Sequence, residues 1–102
     1  MHSVEWAAGL FEGEGCIFYK TYGKHLHKRL SLTMTDQDVV EKFAAVFGWK
    51  VTPTKGTVKP AWAARTGKTS SIISALEQML PYFGNRRACK ALNLLDELEL
   101  KS

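Results

Sequence analysis

The sequence predicts an α+β fold with one antiparallel sheet, built from two hairpins, and helices covering one face of it. Apolar residues recur at helical spacing in four segments. Between them lie two pairs of shorter stretches rich in strand-forming residues, and Gly23-Lys24 and Lys55-Gly56 mark the turns within the pairs. The resulting order is α-ββ-α-ββ-α-α, read as a single domain over residues 1–102. That length is near the usual domain size, and a 45% hydrophobic fraction is enough to build a core.

The first helix follows Ser3, an N-cap candidate, and turns Val4, Trp6, Ala7, Leu10 and Phe11 towards the core. Gly9 and Gly13 are four residues apart, so they share a face and leave it bare. Each mid-helix glycine costs roughly 1 kcal/mol against alanine, and close packing of a second helix is the usual compensation. Glu14 falls at the helix C-terminus, where the dipole favours a cation. Its carboxylate and the free carbonyls beside it, that of Gly13 included, suit a hard divalent metal. The plainer reading is a glycine C-cap with solvated glutamates.

A strand over Cys16–Tyr22 puts Ile17, Tyr19 and Thr21 on one face, and Cys16, Phe18, Lys20 and Tyr22 on the other. Gly23 to His27 reads as a turn or hairpin tip. His25-x-His27 has the spacing of a metal-binding pair but lacks a third ligand. From Lys28 to Thr35, Leu30, Leu32 and Met34 point inward. Arg29, Ser31, Thr33 and Thr35 form an outward polar row, suited to bases because the major groove admits a two-stranded ribbon.

Thr35 or Asp36 caps the second helix, where Val39, Val40, Phe43, Val46 and Phe47 recur before a Gly48 C-cap. The second hairpin spans Trp49–Thr54 and Val58–Arg65, with Pro53 and Pro60 confining it to edges or irregular ends. Trp62 and Ala64 are expected inside, with Ala61, Ala63 and Arg65 on the open face. Gly67-Lys68-Thr69 looks like the end of a P-loop, but Trp62 stands where the upstream glycine is required, so no nucleotide cofactor is expected. The third helix, Ser70–Leu80, carries Ile72, Ile73, Leu76, Met79 and Leu80 and stops at Pro81. Asn85 caps the last helix, whose stripe is Ala88, Ala91, Leu92, Leu95 and Leu98. Arg86, Arg87 and Lys90 crowd its first turns, where the dipole disfavours cations. An anionic partner would explain them, as would arginine stems lying over apolar surface.

The net charge of +4 is unevenly spread: Gly15–Lys68 holds ten Lys/Arg against three acids, a balance of +7. Gly15–Thr35 and Lys50–Lys68 contain no acid. Two separate acid-free basic stretches suit a polyanion such as nucleic acid, although a solvated lysine-rich surface is the blander reading. No apolar run reaches membrane-spanning length and no signal-peptide pattern opens the chain. Cys16 and Cys89 form no CxxC. An intracellular protein with free thiols, neither secreted nor in a membrane, is expected.

Ala7 to Gly15 resembles the nine-residue LAGLIDADG motif of the homing endonucleases. Gly9, Leu10 and Gly15 match it, and Glu12 and Glu14 stand where the motif has its two aspartates. Ala7 replaces the leading leucine, Phe11 an isoleucine and Gly13 an alanine. The element order is similar to the family's core fold over nearly the whole chain. Leu80-Pro81-Tyr82-Phe83, followed by Arg86, resembles the late segment that carries the family's active-site lysine, here an arginine.

The resemblance implies a homing-type endonuclease, dependent on Mg²⁺ or another divalent cation such as Mn²⁺ or Ca²⁺, that cuts both strands of a near-palindromic duplex. Glu14, with Gly13, would hold the metal, Asp36 would order solvent, and Arg86 would stabilise charge, only electrostatically because arginine does not give up its proton. Glu12 is expected to cap or pair structurally. DNA would lie on Phe18, Lys20, Tyr22, Lys28, Arg29, Ser31, Thr33, Lys50, Lys55 and Arg65. One motif supplies one acid for two strands, so a homodimer is expected through Ala8, Gly9, Glu12 and Gly13. A non-cleaving relative, acting as a DNA-binding regulator or intron-splicing maturase, is the alternative, and an unrelated α/β interaction module is the third reading.

Overall fold

The computed structural model describes residues 3–54 and 59–101. Helix α1 covers Val4–Glu14 and runs directly into strand β1, Gly15–Tyr22. Strand β2 (His25–Met34), helix α2 (Gln37–Phe47) and strands β3 (Lys50–Pro53) and β4 (Trp62–Thr66) follow. Helix α3 (Thr69–Met79), a 3₁₀ turn (Leu80–Tyr82) and helix α4 (Asn85–Lys101) complete the order. The predicted α+β class and element order are therefore the observed ones, with an antiparallel sheet ordered β1-β2-β4-β3.

Local chemistry explains most boundaries. The Ser3 hydroxyl accepts the Trp6 N–H at 3.1 Å and starts α1. Asp36 does the same for α2, its Oδ1 accepting the Val39 N–H at 3.3 Å, and Gly48 ends that helix at φ 73°. The β1–β2 turn is tighter than expected. Tyr22 pairs with His25, so only Gly23 and Lys24 lie outside the ladder, and His25 and His27 belong to β2. Pro53 and Pro60 bound a short β3 and a connection whose residues 55–58, with the expected contact Lys55, lie outside the described residues.

Register fixes the two faces of the sheet. Ile17, Leu30, Leu32 and Ala64 point to the helices and are buried. Thr33 pairs with Ala63 and Ser31 with Arg65, as the expected register of β4 requires. Ala63 is fully covered although it lies on the open face, because Thr33 and Thr52 flank it in the ladder. Lys28 was expected on the open face and is not there. It pairs with Tyr19, shares the parity of Leu30 and Leu32, and is half-buried.

The core is centred on the motif's own Phe11. Its ring stacks on Phe43 and on Phe83 with centroids 6.0 Å away in both cases, and meets Trp49 edge-on at 6.4 Å. Full burial of such a side chain stabilises the fold by about 2–3 kcal/mol. In α4 the buried stripe is Ala91, Leu94 and Leu98, and Leu92 is exposed. The expected stripe was thus rotated about the helix, since Ala88, Leu92 and Leu95 lie to one side of the true core line. Gly84, not Asn85, caps this helix, its carbonyl accepting the Ala88 N–H at 2.9 Å.

Candidate functional site

The open face of the sheet is built by alternation. Cys16, Phe18, Lys20 and Tyr22 of β1 lie beside His25, His27, Arg29, Ser31 and Thr33 of β2. Arg65 of β4 and Lys50 of β3 continue the row across the sheet. None of the four strands contains an acid. Among the described residues, Lys20, Arg29, Lys50 and Arg65 are exposed and none is paired with a carboxylate. Two of these cations lean on exposed rings instead: Arg29 lies 5.5 Å from the centroid of Phe18, and Lys20 lies 5.0 Å from that of Tyr22. Unneutralised cations interleaved with aromatics make a surface for a polyanion with stacking or apolar groups.

Glu14 stands where α1 meets this face. It is the last residue of α1, it is exposed, and it makes no hydrogen bond or ion pair among the described residues. The last turn of α1 carries no basic side chain of its own, and the cation at the negative end of its dipole comes from α4, where Arg87 donates to the Glu12 and Gly15 carbonyls. An exposed carboxylate there fits a hard divalent ion in chemistry, but one chain supplies few ligands. Among the described residues no three His, Cys, Asp or Glu side chains cluster closely enough to hold a metal. Asp36 follows the end of β2, and its Oδ1 caps α2.

Next to Glu14 the start of β1 meets the start of α4 across an open cleft of about 410 Å³. Gly15, Cys16, Glu12, Arg86, Arg87 and Lys90 line it. Arg86 and Lys90 are exposed, and both line the cleft beside Gly15. Arg87 turns inward. Its Nη1 donates to the Gly15 carbonyl at 3.0 Å, its Nη2 to the Glu12 carbonyl at 3.1 Å, and its Nε faces Glu12 Oε2 at 3.3 Å. The guanidinium also lies 5.4 Å from the Phe11 ring centroid. The other Glu12 oxygen accepts the Gly84 N–H at 3.1 Å.

No family model matches the sequence, and no curated protein matches it. Solved structures do. The homing endonuclease I-CvuI, in complex with its target, superposes with a TM-score of 0.78 at 19% identity over 94% of this chain and 65% of that one. The I-SmaMI LAGLIDADG homing endonuclease, bound to cleaved DNA, gives 0.79 at 16% identity over 98% of this chain and 37% of that one. The homing endonuclease I-TnaI gives 0.74 at 16% over 95% and 71%. The chain has the LAGLIDADG homing-endonuclease fold. It spans about two thirds of the length of I-CvuI.

In that fold the two acids of the LAGLIDADG motif have separate surroundings. Glu12 is engaged by α4 and the backbone of Gly84, the structural role expected for it, whereas Glu14 is open. Ala8, assigned to a dimer contact from its place in the motif, is fully buried in this chain's own core and is not on the bare face. Gly9 and Gly13 are exposed, and a Cβ on either would meet nothing within 4 Å. Arg87 is the residue that the LAGLIDADG resemblance did not single out. Its spacing from Ala91, Leu94 and Leu98 would have placed it on the buried stripe once that stripe was set correctly.

Proposed function

We propose that this chain is one subunit of a homodimeric, divalent-metal-dependent DNA endonuclease of the homing type, acting on near-palindromic duplex sites inside the cell. The observation that carries the reading is the acid-free, cation-and-aromatic face of the sheet, with an unpaired Glu14 at its edge. What I-CvuI and I-SmaMI are described as binding, their DNA targets, agrees with it.

Phe18, Lys20, Tyr22, Arg29, Ser31, Thr33, Lys50 and Arg65 contact the duplex, the cations holding phosphates and the polar row reading base edges. Lys55 belongs to the same proposal from its sequence position alone. Glu14 and the Gly13 carbonyl hold Mg²⁺, for which Mn²⁺ or Ca²⁺ can substitute, and the same groups of a second subunit complete the ligand set. A divalent ion bound there supplies Lewis acidity and lowers the pKa of water. Arg86 opposes the negative charge that develops on the phosphoryl oxygens during in-line attack. Asp36 keeps one carboxylate oxygen outside its capping bond with which to order solvent.

The replacement of the family's lysine by Arg86 favours one second reading, a non-cleaving relative that binds DNA as a regulator or acts as an intron-splicing maturase. Incubation with Mg²⁺ and a randomised palindromic duplex library, followed by sequencing of the cut ends, decides between them. A defined cut site is expected, and Glu14→Gln should lower cleavage at least about 100-fold while leaving affinity for that site intact, because a neutral amide is a poor ligand for a hard cation. Specific binding without cutting would select the second reading. Full cleavage by Glu14→Gln would remove Glu14 from the site.

A further inference from the structure

We propose that Arg87 is a positioning residue that sets where Glu14 presents its carboxylate, an inference that rests on the nuclease reading above. The geometry is unusual in where one guanidinium places its donors. The Glu12 and Gly15 carbonyls, taken by Nη2 and Nη1, bracket Gly13 and Glu14 in the chain. Those two residues span the junction at which α1 becomes β1. A helix end ordinarily leaves its last carbonyls to solvent and frays. Here a side chain of α4, anchored one turn before the buried Ala91, holds both sides of the junction.

Two further contacts, and the close approach of α4 at Gly84, make the clamp specific for arginine. The Glu12 carboxylate faces Nε at 3.3 Å as an ion pair. The Phe11 ring lies under the guanidinium, and Phe11 is fully buried. Gly84 lets α4 come close: a Cβ there would stand 2.8 Å from Glu12 Oε1, the oxygen that accepts the Gly84 N–H. Lysine has a point charge and no planar fork, so it can hold one carbonyl but not both carbonyls and the carboxylate together. Arg87 lines the cleft and stays partly exposed, but each of its three nitrogens faces a group of the motif. Through those contacts it acts on Glu14, whereas its neighbour Arg86 is exposed to the cleft.

The test uses the full chain and compares wild type, Arg87→Lys and Arg87→Gln. Arg87→Lys should keep the fold and hold duplex affinity within about threefold. Single-turnover cleavage should fall about 10–100-fold, the range found when a metal ligand is deprived of its supporting partner. The Mn²⁺ concentration for half-saturation of the protein–DNA complex, read by electron paramagnetic resonance, should rise by a similar factor. Amide exchange at Glu14 and Gly15 should quicken about tenfold while Leu94 and Leu98 keep their protection. If Arg87→Gln unfolds, Arg87→Lys alone decides. Unchanged cleavage and Mn²⁺ midpoint in Arg87→Lys would overturn the inference, as would an even fall in protection across α1 and α4. A wild type that neither cuts DNA nor binds Mn²⁺ sinks the nuclease reading instead. The exchange data still decide whether Arg87 fixes the junction, and unchanged exchange at Glu14 and Gly15 would refute that.

Discussion

A Cβ built on Gly9 or Gly13 would meet no other atom within 4 Å, whereas one built on Gly15 would run into the Phe11 ring. The same motif thus holds glycines for opposite reasons. At its C-terminal end the neighbour that crowds out a side chain is in this chain, the Phe11 ring below Gly15. On the outer face of α1 nothing among the described residues explains the absence of side chains. The charges divide in the same way. Arg87 is spent within the fold on Glu12, Gly15 and Phe11, while Lys20, Arg29, Lys50 and Arg65 have no carboxylate partner among the described residues. Groups accounted for inside the chain build the fold. The unaccounted ones are those that the proposed second helix and DNA duplex would cover.

The largest effect is expected at the crowded end. Phe11 is held between Phe43 and Phe83 and cannot retreat, so Gly15→Ala should destabilise the chain by about 3 kcal/mol through overpacking. For a domain of this size that is a fall in Tm of more than about 12 °C in a thermal melt. A fall of only a few degrees would mean that the Phe11 ring moves aside freely, and the contrast between the two ends would weaken.

Gly13→Leu sharpens the same contrast from the other side. The fold should tolerate it, because Gly13 is exposed and a Cβ there meets nothing within 4 Å among the described residues. A helix packed on that face would be displaced, at a cost of about 3 kcal/mol, which is roughly a 100-fold rise in the dimer dissociation constant. Glu12→Gln comes next. It leaves the Arg87 fork on the two carbonyls but removes the ion pair, which is partly exposed, so about 1 kcal/mol is expected by chemical denaturation. A loss as large as that of Gly15→Ala would make the ion pair, rather than the aromatic packing, the chief tie between α4 and the motif.

The sheet face should give the smallest individual effects. Lys20→Ala, Arg29→Ala and Arg65→Ala should each weaken duplex binding a few-fold and lower the salt slope by about one for each phosphate left without its cation. Lys28→Ala is the internal control, since it lies on the helix-side face and should leave the slope unchanged. Equal slopes for Arg29→Ala and Lys28→Ala would show that DNA does not lie on the open face.

Much of this is legible in the sequence because period and punctuation are local. Leu30, Leu32 and Met34 alternating with Arg29, Ser31 and Thr33 set the faces of β2, and Gly48 sets the end of α2. The element order follows from such patterns, and it matches that of the motif's family. What is not legible depends on contacts distant in the chain. Leu92 belongs to an apolar arc wider than the core covers, so the stripe of α4 can be set only by what packs on it. Lys28 departs from expectation because basic charge alone carries no information about strand parity. Arg86 and Arg87 look alike in sequence, yet 72 positions separate Arg87 from the Gly15 carbonyl it holds. The bare face of α1 is legible as spacing, while the burial of Ala8 beside it is not.

The central claim is that the motif is completed by a second copy of this chain packed on Gly9 and Gly13. Sedimentation equilibrium, run on wild type and Gly13→Leu with and without duplex DNA, tests it most directly. Wild type should sediment at twice the 11.4 kDa chain mass without DNA and as the same dimer on it, and Gly13→Leu, still folded, as a monomer without DNA. A wild-type chain that stays monomeric at high concentration and on DNA would contradict the claim, and with it the shared two-carboxylate site.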